Sequence, residues 1–407
     1  MDATTAPPFL PLQGRSVVLG VTGSIAAYKA ADLASKLRQA GASLEVVMTP
    51  AATRFITPLT FQSLTGRPVV VDMFVADEAE AHVEVARRAD AFVIAPATAD
   101  CMANLANGAT PDMVALTALA TAAPILLAPA MDNQMWEHAA TRHNLETLRA
   151  RGVAIVGPES GRLASGRSGP GRMAEPLTIV GALRALLGVK RGDLGGRHIV
   201  VSAGGTREAI DPVRFIANHS TGLMGFAIAE AARDRGARVT LVTAPVALPA
   251  PYGIELVDVT DVASMLAALE TATANADAIV MAAAPADFRP ASAAGQKIKK
   301  QEGEQALRLE LVKNPDIIAT LEGGGVRVGF AAETNDLATY AKAKLASKRL
   351  DFIVANDVTA PGSGFGTATN EVVLFHRDGR EEHLPLMEKL AVGHAILDRV
   401  AALIPSS

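Results

Sequence analysis

The chain has 407 residues, a length that as a prior corresponds to two or three domains. Hydrophobic residues make up 49% and charged residues 20%, which is ordinary globular composition with enough apolar material for more than one core. The formal net charge of -4 gives no support to binding of nucleic acid or of a membrane surface, because both usually show a basic excess. Cys101 is the single cysteine, so a disulfide within the chain is excluded, and a reducing cytoplasm fits this composition.

The first thirteen residues differ in composition from the rest of the chain. They contain three prolines and lack the basic start and apolar core of a signal peptide. We therefore predict a short disordered leader at 1–13. Later apolar runs such as 120–131 are too short and too interrupted by proline to span a bilayer.

Short apolar runs alternate with Ala- and Leu-rich stretches at helical spacing along the chain. In the first half, the predicted strands are 16–21, 44–48, 91–95, 125–128 and 153–156. In the second half, they are 198–203, 238–242, 278–281, 327–330, 352–355 and 372–375. Such alternation is typical of parallel sheets with helices on both faces, so the sequence predicts the α/β class.

The alternation is interrupted after the predicted helix at 177–187, where a polar, glycine-rich segment follows. We place a linker at 189–196, between a first domain at 14–188 and a second domain at 197–407. The two domains start alike, since each ends its first helix with glycine and then enters a second strand. This likeness predicts two consecutive doubly wound three-layer domains.

Each domain has a glycine turn where its first strand runs into a helix, Thr22-Gly-Ser24 in the first and Gly204-Gly-Thr206 in the second. Free N–H groups and the positive end of a helix suit such a turn to phosphate, although close packing of strand and helix uses the same residues. Neither second strand ends on the Asp or Glu that would bind the ribose of NAD, and neither turn is a full GxGxxG. The pattern favours a mononucleotide, either FMN or a nucleoside triphosphate.

Four stretches of the first domain resemble the motifs of FMN-dependent cysteine decarboxylases and occur in the order expected for that family. They lie at 22–29, 95–100, 129–136 and 161–173. The resemblance implies a flavodoxin-like domain that forms trimers, with FMN between subunits. It further implies that FMN is held in part by Gly23, Ser24, Thr98, Ala106, Asn107 and Gly108.

The resemblance assigns acid/base catalysis to His82. Taken alone, a histidine followed by alternating apolar positions is more often structural, but the surrounding motif favours the catalytic interpretation. Imidazole titrates near neutrality, so it can move protons and, when protonated, stabilise a carboxylate. A flavin supplies the electron sink that decarboxylation of a cysteine amide needs.

The same resemblance places Asp132, Met135 and Ser165 against the substrate. Asp132 stands where many family members have Asn, so it lacks the amide donor and its protonation state becomes important. Ser165 stands where some members have a cysteine that assists the final reduction; if that cysteine is essential, another proton donor is needed. Cys101 does not take its place, because we expect it to be a small buried hydrophobe.

The second domain resembles the phosphopantothenate–cysteine ligases, and its motifs are the most specific in the chain. They lie at 202–206, 211–225, 283–287, 297–300, 312–316, 329–335 and 356–357. The resemblance implies a Rossmann-like domain in which CTP activates a carboxylate as an acyl-cytidylate, which cysteine then attacks. Cations should gather around the triphosphate, and Mg²⁺ is expected, although no carboxylate cluster identifies its ligands.

Lys297, Lys344 and Lys348 are the candidate cations. Lys344 and Lys348 would otherwise form a solvated helix face and Lys297 a surface loop, yet a glycine-flanked basic loop also suits a mobile lid. Asn218 is predicted to polarise the acyl-cytidylate, with helix capping as the alternative, and Arg214 to hold substrate phosphate. The remaining predicted nucleotide contacts are Gly205, Asp287 and Phe330.

Together the resemblances imply a cytoplasmic bifunctional enzyme of coenzyme A biosynthesis. It would ligate cysteine to 4′-phosphopantothenate and decarboxylate the product, phosphopantothenoylcysteine, to 4′-phosphopantetheine. Trimeric first domains and dimeric second domains imply a homo-oligomer such as a dodecamer. Two alternatives stay open: a flavoprotein that only binds or regulates, which His82 and a complete ligase domain disfavour, and a peptidyl-cysteine decarboxylase, which the fused ligase disfavours.

Overall fold

A computed structural model gives the structure of the chain, and it describes residues 8–73, 81–299, 306–333, 337–357, 362–364 and 366–405. Contacts between residues divide the chain into two compact units, one over Leu10–Lys190 and one that contains Arg191 onward together with Phe9. Each unit contains its own sheet, parallel in the first unit and mostly parallel in the second, with helices on both faces. The predicted α/β class with two consecutive doubly wound domains is therefore confirmed.

The first unit contains eight strands and eight helices within its described residues. The strands are β1 (Ser16–Val21), β2 (Ser43–Met48), β3 (Val69–Val70), β4 (Ala91–Ala97), β5 (Ile125–Pro129), β6 (Ala154–Ile155), β7 (Glu159–Arg162) and β8 (Ser168–Arg172). The helices are α1 (Ala27–Gln39), α2 (Pro58–Thr65), α3 (Ala81–Arg88), α4 (Ala99–Asn107), α5 (Met113–Ala120), α6 (Asn133–Glu137), α7 (Ala139–Ala150) and α8 (Pro176–Arg191), with a 3-10 turn at Ala52–Arg54.

The first sheet has the strand order β3-β2-β1-β4-β5-β6, and all its strands are parallel. The chain order reverses between β1 and β4, so a crevice opens at the carboxyl ends of these neighbours. The helix that follows β1 packs on the sheet because its apolar residues recur at helical spacing. The buried ones are Ala27, Ala30, Leu33, Ala34 and Leu37.

Residues 10–13 of the predicted leader are packed onto the first domain. Leu12 is buried, and its N–H donates a hydrogen bond to the Ala40 carbonyl at 2.8 Å. The packed unit therefore begins earlier than the predicted residue 14, while 1–7 lie outside the described residues. At the other end, α8 continues into the predicted linker, and Leu194 is buried in the core of the second unit.

The second unit contains twelve strands and five helices within its described residues. The strands are β9 (His198–Ala203), β10 (Arg207–Ala209), β11 (Phe215–Ala217), β12 (Arg238–Thr243), β13 (Glu255–Asp258), β14 (Ala278–Met281), β15 (Phe288–Pro290), β16 (Leu311–Lys313), β17 (Val326–Glu333), β18 (Phe352–Asp357), β19 (Thr369–His376) and β20 (Glu381–Glu388). The helices are α9 (Leu223–Asp234), α10 (Val262–Thr273), α11 (Ile317–Thr320), α12 (Leu337–Ser347) and α13 (Lys389–Leu403).

The second sheet has the order β13-β12-β9-β14-β17-β18-β19-β20, in which β19 and β20 form an antiparallel edge. Its two faces carry separate apolar cores, one under α9 and α13 and the other under α10, α11 and α12. Gly225 lets α9 lie directly on β9, because a Cβ atom at this position would stand 2.6 Å from the Cβ of Ala203. Among the helices of the described ranges, none combines the length and apolar character that crossing a membrane requires.

Candidate active sites

A cleft of about 1100 Å³ opens at the carboxyl ends of β1, β4 and β5. Its walls come from the turn after β1, the start of α4, the segment before α6 and the β7–β8 hairpin. This is the crevice expected where the strand order reverses. The structure brings six of the residues predicted for FMN or substrate into it: Gly23, Ser24, Thr98, Asp132, Met135 and Ser165.

The turn after β1 is held by the buried hydroxyl of Thr22. This hydroxyl donates to the Pro96 carbonyl at 2.7 Å and accepts from the N–H of Thr98 at 3.2 Å. Gly23 fits the turn because a Cβ there would lie 2.6 Å from the Cβ of Ala51. The nearby start of α1 has no side-chain cap, and the positive end of a helix suits an anionic group.

Asp132 is the N-cap of α6 and faces the turn of the β7–β8 hairpin. Its Oδ1 accepts from the N–H of Gln134 at 3.1 Å and from Nη1 of Arg167 at 3.3 Å. Its Oδ2 accepts from the Ser165 hydroxyl at 2.7 Å. The Ser165 hydrogen bond is the main reason that the pKa of Asp132 lies below its usual range, so the side chain is ionised. Arg167 was not among the predicted site residues.

The other predicted FMN contacts do not line this cleft, although the nearby Asn104 and Pro111 do. Ala106 is buried, Asn107 donates to the Ala103 carbonyl at 2.8 Å, and Gly108 ends α4 with φ 69°. Thr98 stands at the opposite end of the same helix, about 13 Å away at 1.5 Å per residue. His82 is half-buried in the first turn of α3 and is not among the lining residues of the cleft. One chain therefore does not bring these four residues to the cleft.

Cys101 lies beneath the cleft in the first turn of α4. It is buried, as predicted, and its N–H donates to the Thr98 hydroxyl at 3.2 Å. Burial, reinforced by Asp112 and Asp100, raises the pKa of the thiol, so it stays protonated.

A smaller cavity of about 140 Å³ lies in the second unit, beside the carboxyl ends of β14 and β17. Four predicted nucleotide contacts line it: Asp287, Phe330, Lys344 and Lys348. Nζ of Lys348 forms an ion pair with Oδ2 of Asp316, another lining residue, at 2.9 Å. The two lysines therefore face a cavity and are not simply part of a solvated helix face.

Asn218 lies beside the glycine turn of the second unit. Its side-chain amide donates to the Pro285 carbonyl at 2.9 Å. A Cβ on Gly205 would stand 2.7 Å from the carbonyl oxygen of Asn218, so the two backbones are in close contact. The N-cap of α9 is Gly222, and the alternative of Asn218 as a helix cap is therefore wrong.

Arg214 is paired with a buried carboxylate, that of Asp211. Its Nη2 lies 2.6 Å from Oδ2 of Asp211 and also donates to the Ile298 carbonyl at 3.1 Å. The Ile298 N–H donates back to Asp211 at 3.1 Å. The guanidinium of Arg214 holds the pKa of Asp211 well below its usual range. This pair anchors the loop on which Lys297 is exposed, and Asp211 was not among the predicted site residues.

No cluster of three metal-binding side chains occurs among the residues that the structure describes. Lys300 and residues 334–335, which belong to the predicted ligase motifs, lie outside those residues. The ligands of the expected Mg²⁺ therefore stay unassigned.

The chain matches two protein families along its length: Flavoprotein over residues 10–188 and the DNA/pantothenate metabolism flavoprotein C-terminal domain over residues 194–404. It is 44% identical to the coenzyme A biosynthesis bifunctional protein CoaBC of Vibrio vulnificus (strain YJ016), covering 97% of this chain and 99% of that protein. It is 46% identical to CoaBC of Escherichia coli (strain K12), covering 96% of this chain and 98% of that protein.

Among solved structures, the crystal structure of the C-terminal domain of CoaBC is 36% identical, covers 52% of this chain and 97% of that chain, and has a TM-score of 0.44. The relatives of Vibrio vulnificus and Escherichia coli match over almost the whole length of both proteins. The chain therefore belongs to the CoaBC family of bifunctional coenzyme A biosynthesis proteins.

Proposed function

We propose that this chain ligates cysteine to 4′-phosphopantothenate with CTP and then decarboxylates the product with FMN. One observation carries the proposal: a single chain of this family has two separate sites, and each is lined by residues predicted for one of the two steps. The products would be phosphopantothenoylcysteine and 4′-phosphopantetheine. The partners are small molecules, and a reducing cytoplasm suits a chain whose single cysteine is a free thiol.

The first cleft fits FMN. The Gly23–Ser24 turn and Thr98 offer backbone N–H groups and small hydroxyls close to one another, with no bulky side chain between them. Bound FMN supplies the electron sink for decarboxylation. The proton needed at the substrate is assigned to His82. Because His82 and Ala106–Gly108 do not line the cleft of their own chain, we assign them to the cleft of a neighbouring subunit in a trimer.

The second site suits nucleotidyl transfer. Asp287 and Phe330 would border the nucleoside, and Lys344 and Lys348 would neutralise the triphosphate together with Mg²⁺. Lys297 would reach the phosphates from its anchored loop. The second ligase step needs a donor where negative charge develops, and Asn218 has a second amide hydrogen besides the one bound to Pro285.

Arg214 can serve both as an anchor and as a phosphate ligand. Its Nε and Nη2 bind Asp211 and Ile298, which leaves Nη1 for substrate phosphate. Ligase domains are expected to pair as dimers, and combined with trimeric first domains they would build a dodecamer.

Incubation of the full chain with 4′-phosphopantothenate, cysteine, CTP and Mg²⁺ should yield both products by mass spectrometry. Removing Mg²⁺ with EDTA should stop ligation, because the triphosphate loses its counter-charge. Decarboxylation of added phosphopantothenoylcysteine should continue in EDTA. Failure to form either product with all substrates present would contradict the proposal.

The purified protein should be yellow and should release FMN, and not FAD, on denaturation. The cleft offers no acidic residue at the end of β2 for the ribose of a dinucleotide. The measurement is chromatography of the released flavin. A colourless protein that FMN cannot reconstitute would contradict the assignment of the first domain.

His82→Asn should abolish release of carbon dioxide while FMN binding and ligation persist, because the two sites use separate sheets. The control is His143→Asn, which changes an exposed histidine of α7 and should leave both activities intact. Simultaneous loss of both activities in His82→Asn would instead indicate a structural role.

Asn218→Asp should allow the acyl-cytidylate to form but slow its conversion by about 10²–10³-fold, as loss of one transition-state donor does. Pyrophosphate release in a first turnover should survive, and the trapped cytidylate should be detected by mass spectrometry. Lys297→Gln should instead weaken activation itself, because a cation beside the triphosphate is lost.

Lys342→Gln serves as the control, since Lys342 lies on α12 outside the cavity and pairs with Glu381 at 2.6 Å. It should retain both half-reactions. Normal turnover of Asn218→Asp, or its failure to make any pyrophosphate, would show that Asn218 does not act in the second half-reaction.

A further inference from the structure

The β7–β8 hairpin forms one wall of the first cleft, and Leu163, Ala164 and Ser165 of its turn at 163–167 line the cleft. Within the turn, the Leu163 N–H donates to the Arg167 carbonyl at 2.8 Å, and the Gly166 N–H donates to the Leu163 carbonyl at 3.0 Å. At the base of the hairpin, the Met131 N–H donates to the Gly171 carbonyl at 3.0 Å. The hairpin is thus bonded to the segment before α6 at its base. This bond does not fix the position of the turn.

Asp132 connects the turn of the hairpin to the start of α6. Ser165 and Arg167, both in the turn, each donate to a different oxygen of its carboxylate, at 2.7 and 3.3 Å. With the Gln134 N–H, three donors occupy an anion that has about four acceptor positions. An ionised carboxylate offers no donor, so little of this side chain is left for recognising a substrate amide.

Charge explains why the partner in the turn is an arginine. A carboxylate in this position would repel the anionic substrate of the proposed reaction unless a cation accompanied it. Arg167 supplies that cation, with its side chain 51% exposed against 24% for Asp132. Lys29, Arg162 and Arg172 also line the cleft; Lys29 and Arg172 both contact Glu175, at 2.7 and 3.2 Å, and Arg167 is the cation that contacts Asp132.

We propose that Asp132, Ser165 and Arg167 form a flap latch that holds the 163–167 turn over the cleft, and that Arg167 is thereby a positioning residue for decarboxylation. In this chain Asp132 serves closure of the cleft and not recognition of the substrate amide. The consequence for decarboxylation rests on the proposed function, whereas the latch itself rests on the contacts of the described residues.

Hydrogen–deuterium exchange of the full chain with FMN tests the latch without any assay of activity. Asp132→Asn removes the charge but keeps a residue that caps a helix well, so α6 should persist. This variant and Arg167→Gln should each speed exchange in peptides covering 161–170 by about two- to tenfold, as expected for a charged contact near the surface.

The matched control is Lys36→Gln, because Lys36 pairs with Asp32 at the same 3.3 Å on the exposed side of α1. It should leave exchange at 161–170 unchanged. Unchanged exchange at 161–170 in both Asp132→Asn and Arg167→Gln overturns the latch. Faster exchange in the peptides of every region would indicate unfolding of the variant and also count against it.

Kinetics with phosphopantothenoylcysteine test the positioning role. Arg167→Gln should raise KM by about three- to tenfold with a smaller change in kcat, because it removes binding that ground state and transition state share. Arg167→Lys should restore most of the loss. In the Asp132→Asn background, Arg167→Gln should have a much smaller effect, since no uncompensated carboxylate remains.

Additive effects of Asp132→Asn and Arg167→Gln would overturn the coupling that the latch requires. Failure of Arg167→Lys to restore KM would overturn the role of charge. If the unmodified chain releases no carbon dioxide, the proposed decarboxylase function fails, and the exchange measurement still decides whether the latch exists.

Discussion

A buried hydroxyl joins the two central strands of each sheet at the point where the chain order reverses, and both candidate sites depend on it. In the first unit, Thr22 after β1 binds the loop after β4 through Pro96 and Thr98. In the second unit, Thr206 accepts from the Ala286 N–H at 2.9 Å, and so binds the turn after β9 to the loop after β14. In the second unit the Ala284 N–H also donates to the Gly204 carbonyl at 2.8 Å, which joins the same two loops.

In each domain, this arrangement places the glycine turn after the first strand beside the loop after the next strand of the sheet. Backbone groups of both loops therefore surround one space. The polar groups of the loops are satisfied by one another, as buried polar groups must be. Side chains that act on a ligand can then be supplied by more distant segments. Asp287 follows β14 and Phe330 lies on the neighbouring strand β17, and both reach the same cavity for that reason.

The sequence allowed the family, the α/β class and most strands of both sheets to be predicted, because apolar runs and glycine turns are local signals. Strands of three residues, such as β10 and β15, are too short to show a period, and β20 was not predicted. Two contacts that organise the sites also escaped prediction. Asp211 meets Ile298 across 87 residues, and Asp132 meets Arg167 across 35, so neither pair has a local signature.

The carboxylate at position 132, where many family members have an amide, was the one sequence signal for a further partner. An ionised carboxylate at a cleft requires a neighbouring cation or hydrogen-bond donor, and Arg167 and Ser165 are those partners. The positions of His82 and Ala106–Gly108 are a different case. They were assigned by resemblance, and the sequence carries no information on which subunit's cleft they serve. The structure of a single chain shows that these residues do not line its own cleft, so their role and the cleft they serve are separate questions.

The burial of the single thiol determines how this chain responds to reagents that modify cysteine. Cys101 is its single thiol, and burial keeps it protonated beneath the cleft, while the turn of the hairpin carries Ser165. Alkylating agents that act on thiolates find no reactive thiol in the first cleft. Covalent inhibitors directed at a cysteine there would spare this protein, whereas oxidation would act on the methionines that line the cleft, such as the half-exposed Met135.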